Sequence, residues 1–166
     1  MEELLCKLLK YMKAEHWVGA CHATSSVLFV ALSELGYNPI LCIGEVRYKE
    51  ILFDHSWIEL DGKIIDLALS MALKDVDVSA PIVLDKDLST LQKYEGQYGV
   101  TDGNGLDFEA NSIMKNSFLD YMNGFPGLKN GLWDVVNIIL DGKQNIDKLR
   151  IKYESVERNY INKKIY

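Results

Sequence analysis

Asp61-Gly62 stands between two runs of strand-forming residues, 51–60 and 63–69, and restricts the fold more than any other feature of the chain. An Asp-Gly pair closes a tight antiparallel hairpin because both loop residues must take positive φ, which these two types tolerate. With that pair as the whole loop, Leu60 faces Lys63, Trp57 faces Asp66 and His55 faces Ala68. Side chains alternate between faces, so Ile58, Leu60, Ile65 and Leu67 form one apolar face. His55 and Asp66 share the other as diagonal neighbours, roughly 7–8 Å apart between backbones and within reach of each other's side chains. A one-residue slip would turn the apolar set outward, so the register is strongly specified.

Upstream, Leu4, Leu5, Leu8, Leu9 and Met12 repeat at helical spacing and predict a helix over residues 2–14. Val27, Leu28, Ala31, Leu32 and Leu35 predict a second over 21–35, with Gly36 suited to a left-handed cap and Pro39 preventing continuation. Residues 40–48 read as a strand with Gly44 as a candidate bulge. Downstream, 81–84 reads as a short strand, 95–105 as a glycine-rich loop, and 110–122, 132–140 and 146–160 as helices. The class is α+β: a Cys-bearing central helix on a small antiparallel sheet, with helices added C-terminally. One domain is expected over 1–166, with a core at about 15–85 and a helical part at about 106–166.

The first N–H groups of a helix have no intrahelical partner and carry the positive end of its dipole, so a thiol there ionises more readily. Cys21 holds that position. A thiolate nucleophile needs an imidazole within reach, and the imidazole needs a third group to fix its orientation. Cys21, His55 and Asp66 supply the three in that order: Cys21 to attack a carbonyl carbon, His55 to hold and return the proton, Asp66 to orient His55. The Cys21 N–H is a natural oxyanion donor, and a second is expected from the loop before it, at His16 or Trp17.

These residues resemble a family. Gly19-Ala20-Cys21-His22 opening a helix, His55-Ser56-Trp57-Ile58-Glu59-Leu60, and Ile65-Asp66-Leu67 look like the transglutaminase-like core of the papain-like superfamily. The resemblance covers about residues 17–70. It implies a cysteine at the start of a helix packed on an antiparallel sheet, with His and Asp on adjacent strands. Arylamine N-acetyltransferases are similar in their order of Cys, His and Asp, but their arginine-glycine lead into the cysteine is missing. His22 stands where transglutaminases often carry an aromatic residue.

Each residue also has a plainer reading. A lone cysteine near a helix start is more often a small buried hydrophobe, His55 a satisfied sheet histidine, and Asp66 a strand-end carboxylate. It is their joint placement that favours catalysis. Cys6 and Cys42 lie in apolar runs and read as core; His22 reads as solvent-facing or helix-packed before it reads as a neighbour tuning Cys21. Trp17, Trp57 and Trp133 read as core or pocket walls. His16, Cys21, His22 and His55 match no zinc spacing, and Asp102 to Asp107 lacks the sixth-position glycine of a calcium loop, leaving a turn and helix cap. Gly103-Asn104-Gly105 lacks the lysine of a phosphate loop.

The formal net charge of −6, with no basic stripe, argues against a nucleic-acid partner. No apolar run approaches the roughly 20 residues of a membrane span. Three cysteines without a paired motif, and an acidic N-terminal stretch unlike a secretory leader, make a reducing cytoplasm the expected location. The expected function is thiol acyl transfer on a peptide, amide or other acyl donor, with hydrolysis preferred over transfer to an amine and no cofactor required. A non-catalytic binding module of the same fold, an N-acetyltransferase-like protein and a redox-active thiol protein are the alternatives. Oligomeric state is not legible.

Overall fold

A computed structural model describes residues 1–71, 80–101 and 103–164. The chain begins with helices α1 (Glu2–Ala14) and α2 (Cys21–Glu34), then strands β1 (Ile40–Tyr48), β2 (Ile51–Leu60) and β3 (Lys63–Asp66). Short strands β4 (Ile82–Val83) and β5 (Lys86–Asp87) precede β6 (Gln97–Thr101). Helices α3 (Phe108–Lys115), α4 (Phe118–Gly124), α5 (Leu132–Ile139) and α6 (Ile146–Lys152) follow, and β7 (Asn159–Ile161) and β8 (Lys163–Lys164) return to the sheet. The class is α+β. No helix among the described residues is long and apolar enough to cross a membrane.

Among the described residues the sheet runs β5-β4-β3-β2-β1-β6-β8, with β7 beside β1. It is larger than the small sheet expected and not wholly antiparallel. β1 pairs with β2 along its length, but its other edge is shared: Glu45 to Arg47 pair antiparallel with β6, while Cys42 to Gly44 pair parallel with β7. The register shifts between Glu45 and Val46, where β1 and β6 part, and residues 159–164 fill the fork, β8 pairing with Val100 and Thr101 of β6. Gly44 is therefore not itself the bulge. A Cβ there would lie 2.5 Å from the Ile161 carbonyl oxygen, so the missing side chain makes room for β7.

The hairpin has the register its turn implies: Ile58 faces Ile65 and Leu60 faces Lys63. Asp61 and Gly62 both take positive φ, 51° and 72°, as a tight turn of this hand requires. The apolar face of Ile58, Leu60, Ile65 and Leu67 meets α2 in a core shared with Leu8, Met12, Phe118, Leu132 and Trp133. The opposite face carries a smaller cluster of Cys42, Val46 and Trp57, covered by Tyr98 and Ile161. α2 is buried on nearly all sides because the sheet lies against one flank and α1 and α5 against the other. Two of its buried serine hydroxyls are paired: Ser25 Oγ donates to the Ser56 carbonyl at 2.8 Å and Ser26 Oγ to that of His22 at 2.7 Å. Gly36 takes φ 84° just past the helix, as expected of a left-handed end.

Several expected elements differ. β3 stops at Asp66 rather than residue 69, because the Asp66 carboxylate accepts the Leu69 N–H and Ser70 Oγ donates to the Leu67 carbonyl, curling 68–71 into a 3-10 turn. The helix expected over 110–122 is two, α3 and α4, divided where the Ser117 hydroxyl caps the second by accepting the Asp120 N–H. The helix expected to reach 160 ends at Lys152, and the chain becomes β7. Part of the expected 95–105 loop is strand β6. Asp107 caps α3, as read; Asp102 lies outside the described residues. Cys6 is exposed rather than core, whereas Cys42 is buried.

Candidate active site

The Gly19 N–H donates to the Met71 carbonyl at 2.9 Å, tying the loop before α2 to the 3-10 turn after β3. β3 covers only Ile58 to Leu60 of β2, so the β2 edge beyond it is left to His55. Cys21, His55 and Ala68 consequently line one cavity of about 360 Å³. His55 and Asp66, diagonal neighbours in the hairpin, join through Nε2 and Oδ2 at 2.7 Å, both groups buried. Phe53 stands edge-on to the His55 ring with centroids 5.5 Å apart and limits its swing.

Asp66 is held more firmly than its place in the sequence implies. Its Oδ2 also accepts the Tyr98 hydroxyl at 2.7 Å, and its Oδ1 accepts the Leu69 N–H at 3.2 Å. Three donors on one buried carboxylate satisfy its oxygens and fix its plane. Tyr98 has no counterpart in the sequence reading. Its flanking glycines, Gly96 and Gly99, masked the alternation of Tyr98 and Val100 that marks β6.

Cys21 responds to this neighbourhood. Burial alone would raise its thiol, but the His55 imidazole, with His22 adding to it, outweighs burial and brings it from the usual 9.0 down to about 5. Burial would likewise lower His55, yet Asp66 and Cys21 hold it up at about 10. Both shifts run in the direction that favours a thiolate–imidazolium pair. With Nε2 committed to Asp66, the remaining nitrogen of His55 is left for the sulfur.

The first intrahelical bond of α2 runs from the Thr24 N–H to the Ala20 carbonyl at 2.9 Å, so the N–H groups of Cys21, His22 and Ala23 lie ahead of it. Ala20, at the cap position, offers no side chain to occupy them. The backbone N–H groups of His16 and Trp17, the expected source of a second oxyanion donor, are engaged elsewhere. The His16 N–H already donates to Lys13, and the Trp17 N–H to Met12 at 2.9 Å. Trp17 is instead part of the main core, its ring against Tyr11 and Phe125.

His22 is neither solvent-facing nor simply packed. It is buried, its Nδ1 meets Ser56 Oγ at 2.7 Å, and it acts on the Cys21 thiol. Ser56 follows His55 and so points to the α2 side of the sheet, a placement the hairpin register already implied. Asp54, Asp107 and Glu109 also line the cavity and give its mouth acidic character. Among the described residues no group of three or more His, Cys, Asp or Glu side chains is placed to hold a metal ion. Comparison with family models, with curated proteins and with solved structures finds no match for this chain.

Proposed function

We propose that the chain is a cysteine enzyme of acyl transfer, cleaving an amide, peptide or ester bond through a thioester on Cys21, with a papain- or transglutaminase-like core. One observation carries the reading. A buried His55–Asp66 pair at 2.7 Å stands beside a cysteine that opens an uncapped helix and whose thiol is lowered to about 5. A structural thiol in an apolar setting shifts the other way, as Cys42 does, pushed up to about 12 mainly by burial.

In this mechanism the Cys21 sulfur forms a bond to the carbonyl carbon and the carbonyl π pair moves to oxygen. As the intermediate collapses, the carbon–nitrogen or carbon–oxygen bond breaks and the leaving group takes the proton from His55. His55, now neutral, removes a proton from water or an amine, which attacks the thioester and returns Cys21. Asp66 keeps the imidazole oriented and stabilises its charge. The cavity beside Cys21, about 360 Å³, accommodates an acyl side chain or a short peptide segment.

The test compares the wild type with Cys21→Ala on peptide, glutamine-amide and thioester donors, following covalent acyl-enzyme by intact mass. A thioester adduct on Cys21 that forms with one donor class and disappears in Cys21→Ala is expected. Absence of any adduct, together with alkylation of Cys21 at the pace of a free thiol, would leave the binding-module reading in its place. A redox thiol would instead form mixed disulfides and tolerate Asp66→Ala.

A further inference from the structure

We infer that His22 is the side-chain half of an oxyanion hole: its Nε2–H and the Cys21 N–H together receive the oxygen of the acyl group that Cys21 attacks. The inference rests on the acyl-transfer reading above. Acyl transfer needs two donors aimed at the developing oxyanion, and the backbone groups preceding the cysteine are already engaged, His16 with Lys13 and Trp17 with Met12. A side chain lining the Cys21 cavity can supply the second.

His22 is the polar group so placed. It lines the Cys21 cavity and also the adjoining one, of about 380 Å³, on the far side of the α2 start. Its orientation is set by Ser56. That hydroxyl's short contact is to His22 Nδ1 at 2.7 Å, while the Ser56 carbonyl is occupied separately by Ser25 Oγ. In this role the Ser56 hydroxyl donates to Nδ1 and the ring proton sits on Nε2, which makes the other edge of the imidazole a donor. Ser25, nearly one helical turn on, ties the helix to the strand through the Ser56 carbonyl and keeps the ring from drifting. During attack the sulfur's electron pair forms the C–S bond, the carbonyl π pair becomes an oxygen lone pair, and His22 stabilises that charge without giving up its proton. On collapse the pair returns to the carbonyl and the leaving group departs with the His55 proton.

Two reagents separate this role from simple tuning of the thiol. Iodoacetamide is displaced at a saturated carbon and forms no oxyanion; p-nitrophenyl acetate acylates through one. Both rates are measured against pH and compared at their plateaus, where thiolate fraction no longer differs between variants. His22→Ala is expected to lower the acylation plateau roughly 10²–10³-fold and the alkylation plateau by less than about threefold. His22→Gln, which retains an N–H donor, should recover part of the loss. Ser56→Ala, which frees the ring tautomer, should lower acylation alone, and it carries the comparison if His22→Ala melts out. A parallel fall in both rates would make His22 a tuner of Cys21 and overturn the inference, as would an unchanged acylation plateau. If wild-type acylation is no faster than that of Cys21→Ala, the acyl-transfer reading itself fails and takes the oxyanion hole with it.

Discussion

Three hydrogen bonds converge on the carboxylate of Asp66, from His55, Tyr98 and the Leu69 backbone, and they explain why the site is more rigid than a Cys-His pair alone. Asn at this position has one acceptor oxygen and cannot serve all three donors. Asp66→Asn should therefore release His55, raise the apparent pKa of Cys21 alkylation from about 5 toward the usual thiol range, and lower acyl transfer. A loss of about 10²–10⁴-fold is the order expected for a third triad member. Tyr98→Phe removes one donor of three and should lower turnover by about tenfold or less, with the alkylation pKa moving in the same direction by a smaller amount. Stopped-flow alkylation across pH checks both. The two titrations also set the pH dependence of activity. Below about 5 Cys21 takes up a proton and loses its nucleophile; above about 10 His55 loses the proton the leaving group needs. A bell with a broad plateau follows for kcat/KM, its limbs belonging to the coupled pair. A single sigmoid near the free-thiol value would contradict it.

At the scale of elements, the sheet is most sensitive where strands come closest. Gly44→Ala should cost about 1–3 kcal/mol, because the added Cβ would meet the Ile161 carbonyl oxygen at 2.5 Å and backbone cannot turn aside as a side chain does. Urea unfolding monitored by tryptophan fluorescence reads this directly. Gly36→Ala makes the contrast: it meets no neighbour within 4 Å and is strained only by its φ of 84°. The hairpin and α2 were legible because their signals are local: a turn dipeptide, an alternation, a helical spacing and a glycine at the helix end. The pairing of His55 with Asp66 was legible for the same reason, since the register alone brings the two together. What escaped were decisions made by distant partners. Residues 153–158 have no local reason to leave a helix, but the Tyr153 hydroxyl is fixed on Glu34 at 2.6 Å and Arg158 lies against the Tyr121 ring, 4.8 Å from its centroid. Those anchors aim residues 159–161 at the open edge of β1. The roles of Tyr98 and His22 were hidden in the same way, since each depends on a partner, Asp66 or Ser56, on another element.

Across the whole molecule the site and the sheet are mechanically continuous. Ile161 of β7 sits over Gly44 and Gly99, against the Trp57–Tyr98 cluster, and Tyr98 in turn holds Asp66. Loosening β7 should therefore weaken the site without touching it: Ile161→Ala, at a partly buried position, is expected to raise the alkylation pKa of Cys21 as well as to lower stability by about 1–2 kcal/mol. A stability loss with an unchanged Cys21 titration would show the two to be independent.

The forked sheet also bears on how the chain is made. Asn159 reaches the Leu41 carbonyl across 118 positions, so β1 and β2 leave the ribosome long before the strand that fills the gap beside them exists. Pairings of such long sequence separation form late. Nascent chains stalled with residue 158 as the last to emerge should present the 42–44 edge to added protease and carry a sluggish Cys21. Chains stalled once residues 159–164 have cleared the tunnel should resist cleavage and alkylate rapidly. Biosynthesis would thus keep the thiol quiet until the sheet beneath it is closed.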